Sequence, residues 1–436
     1  MRQRGPITDD KREVRELPYI NLANGATARE HSNREKAPSG SGSATQNGRH
    51  RITFLLRKNP ESIGGVQRYL ARLTANLDDL YNIEKLIWTG ADWAGPLYFP
   101  YFYNRSIRNG AGLVFCDDAV TSLLGARIRE KSHKKVVAAV HGLDVILPIE
   151  WYQRQLKSAF RRLDKLVCVS QATAQQVKLR GASDEVVTVI PCPAEENFVK
   201  LEKNEELFRK IEAEIGVNLR GKKVLLSLGR PIKRKGFDYF ADRVFPHLSE
   251  DCVYIVAGPV LKKPAWIELL SPLLGKKLHH NLLLASGAYT SHERLLELCR
   301  HPRVYYINEI SNIHRNLLYS ACDLFVMPNR TVEGDMEGFG QVALEACMRG
   351  VPVIATGIEG IVDAVIDGEN GLCFREGDDA GTIRAITELL VDESKLREFG
   401  GKARDYTAKN FSMKTIVNRY QKLFDNLLSD GGKSRK

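Results

Sequence analysis

Five short runs limit the fold more than any other feature of the chain: VLLSLG (224–229), VYIVAG (253–258), RVYYIN (303–308), LFVMP (324–328) and VPVIAT (351–356). Each is apolar along most of its length rather than at alternate positions, and a helical stretch separates each from the next. A strand with that pattern is buried on both faces, as in a parallel sheet covered by helices. The first half repeats the pattern with RITFLLR (51–57), LVFC (113–116), VVAAVHG (136–142) and LVCVS (166–170). Between them lie amphipathic stretches such as GVQRYLARLTANL (65–77), which puts Val66, Leu70, Leu73 and Leu77 on one helical face. Two alternating blocks joined by a charged helical connector (202–220) predict an α/β protein. Its two doubly wound parallel-sheet domains would face each other across a cleft.

The 436 residues are too many for one ordinary core, which agrees with two domains. We expect a flexible tail over 1–49, where NREKAPSGSGSATQNGRHR is polar and rich in Ser and Gly. A first domain follows over 50–210 and a second over 211–410. The segment 411–436 would hold a C-terminal helix (about 412–429, with Ile416, Tyr420, Leu423 and Leu427 in register) and a short tail. The absence of a short repeat period excludes a solenoid.

A net charge of +11 calls for an anionic partner. The excess is densest between Arg105 and Arg180, at Lys131, Lys134, Lys135, Arg161, Arg162 and Lys165. No aromatic residues interleave with these cations, and no zinc-finger or RNP pattern accompanies them, which excludes nucleic acid. A membrane surface and an ordinary solvated face both remain open. The eight cysteines stand singly with no C-x-x-C pair, as in a reduced cytoplasmic protein. There is no apolar run long enough for a membrane span, nor one near the N-terminus for a secretory signal.

The chemistry concentrates in four glycine-rich turns at predicted strand ends: SIGGVQR, GRPIKRKG, EGFGQ and TGIEG. Ligands of such folds bind at that edge, where helix N-termini present free N–H groups. Only the second turn carries fixed cations close to its glycines, with Arg230, Lys233, Arg234 and Lys235 between Gly229 and Gly236. No G-x-G-x-x-G follows the first strand and no G-x-x-x-x-G-K-[ST] occurs, so dinucleotide enzymes and P-loop ATPases fit poorly. A diphosphate would fit between Arg230, Lys235 and the amides at the start of the helix near 340. Glu345 would accept hydrogen bonds from a ribose diol, and Glu337 or the amides at 338–340 would hold a second polyhydroxyl ring. Phosphate, ribose and sugar make a nucleotide sugar. The plain alternative for EGDMEGFGQVALEA (333–346) is a polar loop before a helix with one glutamate facing solvent.

The second half resembles the retaining GT-B glycosyltransferases of family 4. The resemblance lies in LSLGRPIKRKGFDYF, YYINEISNIHRNLLYSACDLFVMPN, EGFGQVALEACMRGVPVIAT and GIEGIVDAVIDGENGLCF, in order and spacing. The first half adds GGVQRYLARL and VHGLD, so that roughly 51–425 is covered. The resemblance implies that Gly229, Arg230 and Lys235 hold the donor's diphosphate and Glu345 its ribose. Glu337, Gly338, Phe339 and Gly340 would hold the transferred sugar, with Gly64 and Gly65 facing the cleft from the other domain. Arg230, Lys235, Glu337 and His141 would be the catalytic set, although a histidine ending a strand is as readily structural. Two departures stand out: Glu359-Gly360 and then Asp363 replace a common Gly-Gly and then Glu, and VIPCPAEENF (189–198) replaces a common Asn-Gly-Val.

The implied reaction retains anomeric configuration, with the leaving phosphate assisting the incoming hydroxyl and no carboxylate nucleophile. Asp117-Asp118 and Asp335-Met336-Glu337 only approximate a D-x-D motif, so neither metal nor cofactor is expected beside the donor. The acceptor would be a glycan or a lipid-linked molecule, and the basic first domain would contact the inner membrane face peripherally. Two other readings share parts of the pattern: a GT-B-like nucleotide-sugar epimerase or hydrolase, and a charge-driven surface binder without catalysis.

Overall fold

The computed structural model describes residues 19–21, 45–46, 49–57, 65–88, 95–196, 198, 201–261, 267, 269, 275–286 and 289–430. Its strands in chain order are β1 (Tyr19–Asn21), β2 (Thr45–Gln46), β3 (Arg49–Leu56), β4 (Asn82–Ile87), β5 (Leu113–Cys116), β6 (Lys135–Val140), β7 (Lys165–Cys168) and β8 (Val187–Val189). After a connector come β9 (Lys223–Leu228), β10 (Cys252–Ala257), β11 (Val304–Asn308), β12 (Leu324–Met327), β13 (Val353–Thr356) and β14 (Gly371–Phe374). The first sheet runs β4-β3-β5-β6-β7-β8, all parallel, with β2 antiparallel against the start of β3. The second runs β11-β10-β9-β12-β13-β14, also parallel. Counted within its own domain, that order is 3-2-1-4-5-6, a doubly wound sheet whose strand order reverses between β9 and β12.

The runs expected as buried strands are buried: β5 and β10 have no exposed residue along their length. The edge strands differ in composition. NIEKLI of β4 is mostly half-exposed and carries two charges, so its sequence has no continuous apolar run to mark it.

Two boundaries move. Asn204 caps the helix Glu205–Ile215, and Leu207, Ile211 and Ile215 pack against Val224 and Leu226 in the second core. The division therefore falls before this helix, not at 210, because its apolar stripe faces the second sheet. Within the stretch expected to be a flexible tail, Tyr19–Asn21 pairs parallel with β11.

The C-terminal helix Met413–Asp430 does cross back to the first domain. Ile416, Tyr420 and Phe424 lie in one buried cluster with Phe54, Tyr69 and Phe115, and the Tyr69 and Tyr420 hydroxyls are 2.5 Å apart. Phe339, Leu344 and Ala364 of the second domain join the same cluster. The eight cysteines are free, and all except the half-buried Cys373 are buried. Among the described residues no helix is long and apolar enough to cross a membrane.

Candidate active site

β9 and β12 are neighbours, and the chain leaves their C-terminal ends in different directions, opening a crevice. From β9 comes the turn 229–236, in which Lys233–Lys235 form one turn of 3-10 helix. From β12 comes the loop 328–340, ending at the helix Gln341–Met348. The two converge on Glu337. Lys235 Nζ lies 2.5 Å from Glu337 Oε2, Asn329 Nδ2 donates to the same oxygen at 3.0 Å, and Arg234 Nη1 also donates to it. Arg234, only 6% exposed, also sets its Nε 3.0 Å from Asp335. Burial would raise the Glu337 carboxyl, but the charges of Arg234 and Lys235 prevail and take it down to about 2.

Lys235, expected to face a diphosphate, has its ammonium bound to Glu337. Burial lowers its pKa despite that partner. Arg230 is half-buried one turn earlier, and among the described residues no carboxylate pairs with it. Its pKa is lowered by burial first and by the charge of Arg234 second. Among the described residues Arg230 is thus a cation of this crevice without a carboxylate partner.

The bend after Glu337 is where the two domains touch. A Cβ on Gly338 would lie 1.8 Å from the His141 carbonyl oxygen, so nothing larger than glycine fits. Gly340 has φ +96°, a left-handed geometry that starts the helix Gln341–Met348. The Phe339 ring is 4% exposed and sits in the core near Phe411, so only its backbone can face a ligand. On the first domain, His141 Nε2 lies 2.8 Å from the Asp117 carbonyl oxygen, which places the ring proton there. Its Nδ1 is buried and without a partner among the described residues. Gly64 lies outside the described residues, and Gly65 begins the helix Gly65–Asp78.

Glu345 is buried, at 2% exposure, rather than solvent-facing. The Tyr319 hydroxyl donates to its Oε2 at 3.1 Å, with Arg315 at 3.6 Å, and Arg68 approaches Oε1 at 3.8 Å from the first domain.

The TGIEG turn closes the crevice on its third side. Gly360 N–H donates to the Glu337 carbonyl at 3.1 Å, and the Glu337 N–H donates back to the Glu359 carboxylate. Asp363, whose role was in question, accepts the N–H of Gln171 at 3.0 Å and so ties this turn to the first domain.

Sequence reasoning gave no role to Arg234, Asn329, Asp335, Glu359, Arg68 or Tyr319. The signal for Arg234 was present in the cation-rich turn, whereas Asn329 and Tyr319 are recognisable only once their carboxylate partners are placed.

Comparison with known proteins bears on both halves of the molecule. Residues 209–406 match the family described as glycosyl transferases group 1, and residues 82–197 match glycosyltransferase family 4. The capsular polysaccharide biosynthesis glycosyltransferase CapM of Staphylococcus aureus is 27% identical over 190 residues, 42% of this chain and 48% of that protein. The match thus spans about half the length of that relative. The lipopolysaccharide core biosynthesis mannosyltransferase LpsB of Rhizobium meliloti is 26% identical over 275 residues, 62% of this chain and 68% of that protein. Among solved structures, Anabaena HepE in complex with UDP-glucose superposes with a TM-score of 0.63 at 18% identity, covering 86% of this chain and 99% of that one. Sucrose-phosphate synthase from Thermosynechococcus elongatus gives 0.66 at 18%, covering 88% and 100%. At these identities the structural likeness is one of fold.

Proposed function

This chain belongs to the glycosyltransferases of family 4, with the GT-B fold, and from that premise we propose that its crevice binds a nucleotide sugar and transfers the sugar to an acceptor hydroxyl with retention of configuration. The observation that carries this reading is Arg230, a half-buried cation that no carboxylate pairs with among the described residues, beside the Lys235–Glu337 pair at the point where the second sheet reverses. Breaking the sugar–phosphate bond concentrates negative charge on the departing diphosphate. Cations and amides fixed beforehand around that position stabilise the transition state more than the ground state. Arg230 and Lys235 hold the diphosphate, Glu345 the ribose, and Glu337 with the 338–340 backbone the sugar. His141, with its bare Nδ1, faces the reacting centre from the first domain. A role in glycan, polysaccharide or glycolipid synthesis belongs to the same proposal, supported by the likeness to CapM and LpsB.

The test is nucleoside diphosphate release from a panel of UDP-, GDP- and ADP-sugars, with and without sugar acceptors. Release that depends on an added acceptor is the expected result. Acceptor-independent release would indicate a hydrolase, and no turnover with any donor would overturn the reading.

A peripheral membrane contact through the first domain belongs to the same proposal, and the structure redraws its residues. Lys134 is buried and donates to Asn109 Oδ1 and the Ala111 carbonyl, so it belongs to the interior; burial lowers its pKa to about 8. Lys135 and Arg129 pair with Asp164. Lys131 is exposed, and two helical stripes lie outside with it. On Gly95–Arg108, Leu97, Tyr101, Arg105 and Arg108 are exposed at helical spacing, with Arg105 paired to Glu84; on Glu150–Phe160 and its continuation, so are Trp151, Arg154, Arg161 and Arg162, with Arg162 paired to Glu130. Apolar and aromatic side chains beside arginines suit an anionic interface, where each cation contributes about 1 kcal/mol. We expect co-sedimentation with anionic but not neutral vesicles, reduced severalfold by salt and by Trp151→Ala with Tyr101→Ala. Equal recovery with both vesicle types would remove the membrane from the proposal.

A further inference from the structure

Glu359 and Glu309 are the non-glycine residues with positive φ among the described residues, at 49° and 57°. A side-chain-bearing residue is rarely held in that region unless its surroundings require it. At Glu359 the surroundings are the crevice itself. Its carboxylate accepts the N–H of Glu337, at the start of the bend facing the crevice, while the next residue, Gly360, is anchored to the Glu337 carbonyl. The side chain thus occupies an amide beside the bend that would otherwise be open to a ligand oxygen.

The turn 229–236 contributes Arg230, Arg234 and Lys235, beside Lys233, which pairs with Asp238; the loop 328–340 contributes Asp335 and Glu337, beside Arg330, which pairs with Glu376. On its own turn, Asp363 is directed to the Gln171 amide. Asp335 lies against Arg234, and Glu337 against both Arg234 and Lys235. Among the described residues Glu359 is the carboxylate of this group that no cation reaches within ion-pair distance. A diphosphate brings about two further negative charges into the same space, and the carboxylate without a counterion is the one that repels it.

We propose that Glu359 takes up a proton when the donor enters, so that donor binding is linked to pH through this side chain. The neutral carboxyl removes the repulsion, can donate its O–H to a phosphate oxygen, and releases the Glu337 N–H to the donor. Burial already raises the carboxyl to about 7 in the free protein, against the lowering effects of the Glu337 amide and Arg234. The sign follows directly. The bound diphosphate raises the pKa further, so affinity is greatest below about 7. Above that it falls by up to about tenfold per pH unit, until the pKa of the complex is reached.

This inference rests on the donor-site reading above, and calorimetry separates the two. The probe is whichever UDP-, GDP- or ADP-sugar binds the wild-type protein; its diester phosphates do not titrate in the working range. Titrations of wild type and Glu359→Gln at pH 6 and pH 8.5, and at pH 7.5 in buffers of different ionisation enthalpy, give affinities and protons taken up. Expected are a loss of at least about tenfold in wild type with net proton uptake, and a flat profile without uptake in Glu359→Gln. The Gln variant, already neutral, retains tight binding at pH 8.5. Wild-type affinity independent of pH, or the same slope and uptake in Glu359→Gln, would overturn the role of Glu359. Absence of binding by any nucleotide sugar at either pH would instead overturn the donor site on which it depends.

Discussion

Lys235→Ala lowers kcat by a factor of several hundred while the protein still folds. Removing one fixed donor from a site of developing negative charge costs about 3–4 kcal/mol of transition-state stabilisation. Lys235 fits that case: its side chain is 13% exposed, and burial is what holds its pKa down. The fold survives because Glu337 keeps Arg234 and Asn329 as partners. Arg230→Ala, which removes a cation that no carboxylate pairs with among the described residues, lowers turnover on the order of a hundredfold. Steady-state rates measured beside thermal melts decide the matter. Turnover close to wild type in both variants would remove this turn from the donor site.

Glu337→Gln acts on stability as well as on activity. Removing one partner of a buried ion pair costs about 3–5 kcal/mol, because Lys235 loses its counterion while it stays buried. The pH dependence identifies the cause. The Glu337 carboxyl is lowered from 4.5 to about 2 in the folded protein, so its contribution is complete above about 4.5. It is lost as pH falls from there to about 2, where wild type and variant converge. Urea unfolding at pH 7 and pH 3 should show the deficit at the first and a smaller one at the second. An undiminished deficit in acid would assign the loss to the amide's packing rather than to the missing charge.

What the sequence disclosed follows from burial. β5, β6, β9, β10, β12 and β13 lie inside their sheets and read as nearly continuous apolar runs, so their order and the doubly wound class were legible. β4, β8 and β14 lie at sheet edges, where NIEKLI, VTV and GLCF have no need of such a run. At the site, residue types and spacing gathered Arg230, Lys235, Glu337 and Glu345 around one crevice. Pairings across long separations were not legible. Glu337 is bound by side chains about a hundred positions earlier, and Glu345 meets Arg68 from the other domain. Phe339, given to the transferred sugar, lies in the loop 328–340 between two glycines, yet its ring belongs to the core, because the bend is pressed against the first domain.

The return of the last helix to the first domain sets an order for synthesis. Phe54 and Phe115 are covered by Tyr420 and Phe424, more than three hundred positions later in the chain. When residue 200 leaves the ribosome, the strands of the first sheet are all present, but the side chains that seal this face have not been made. The second sheet draws its strands from β9 to β14, apart from the short β1, so it can close while the first still exposes Phe54, Tyr69 and Phe115. The domain translated first is thus the one finished last. Through that interval the nascent protein carries an open aromatic face that must be kept from other chains.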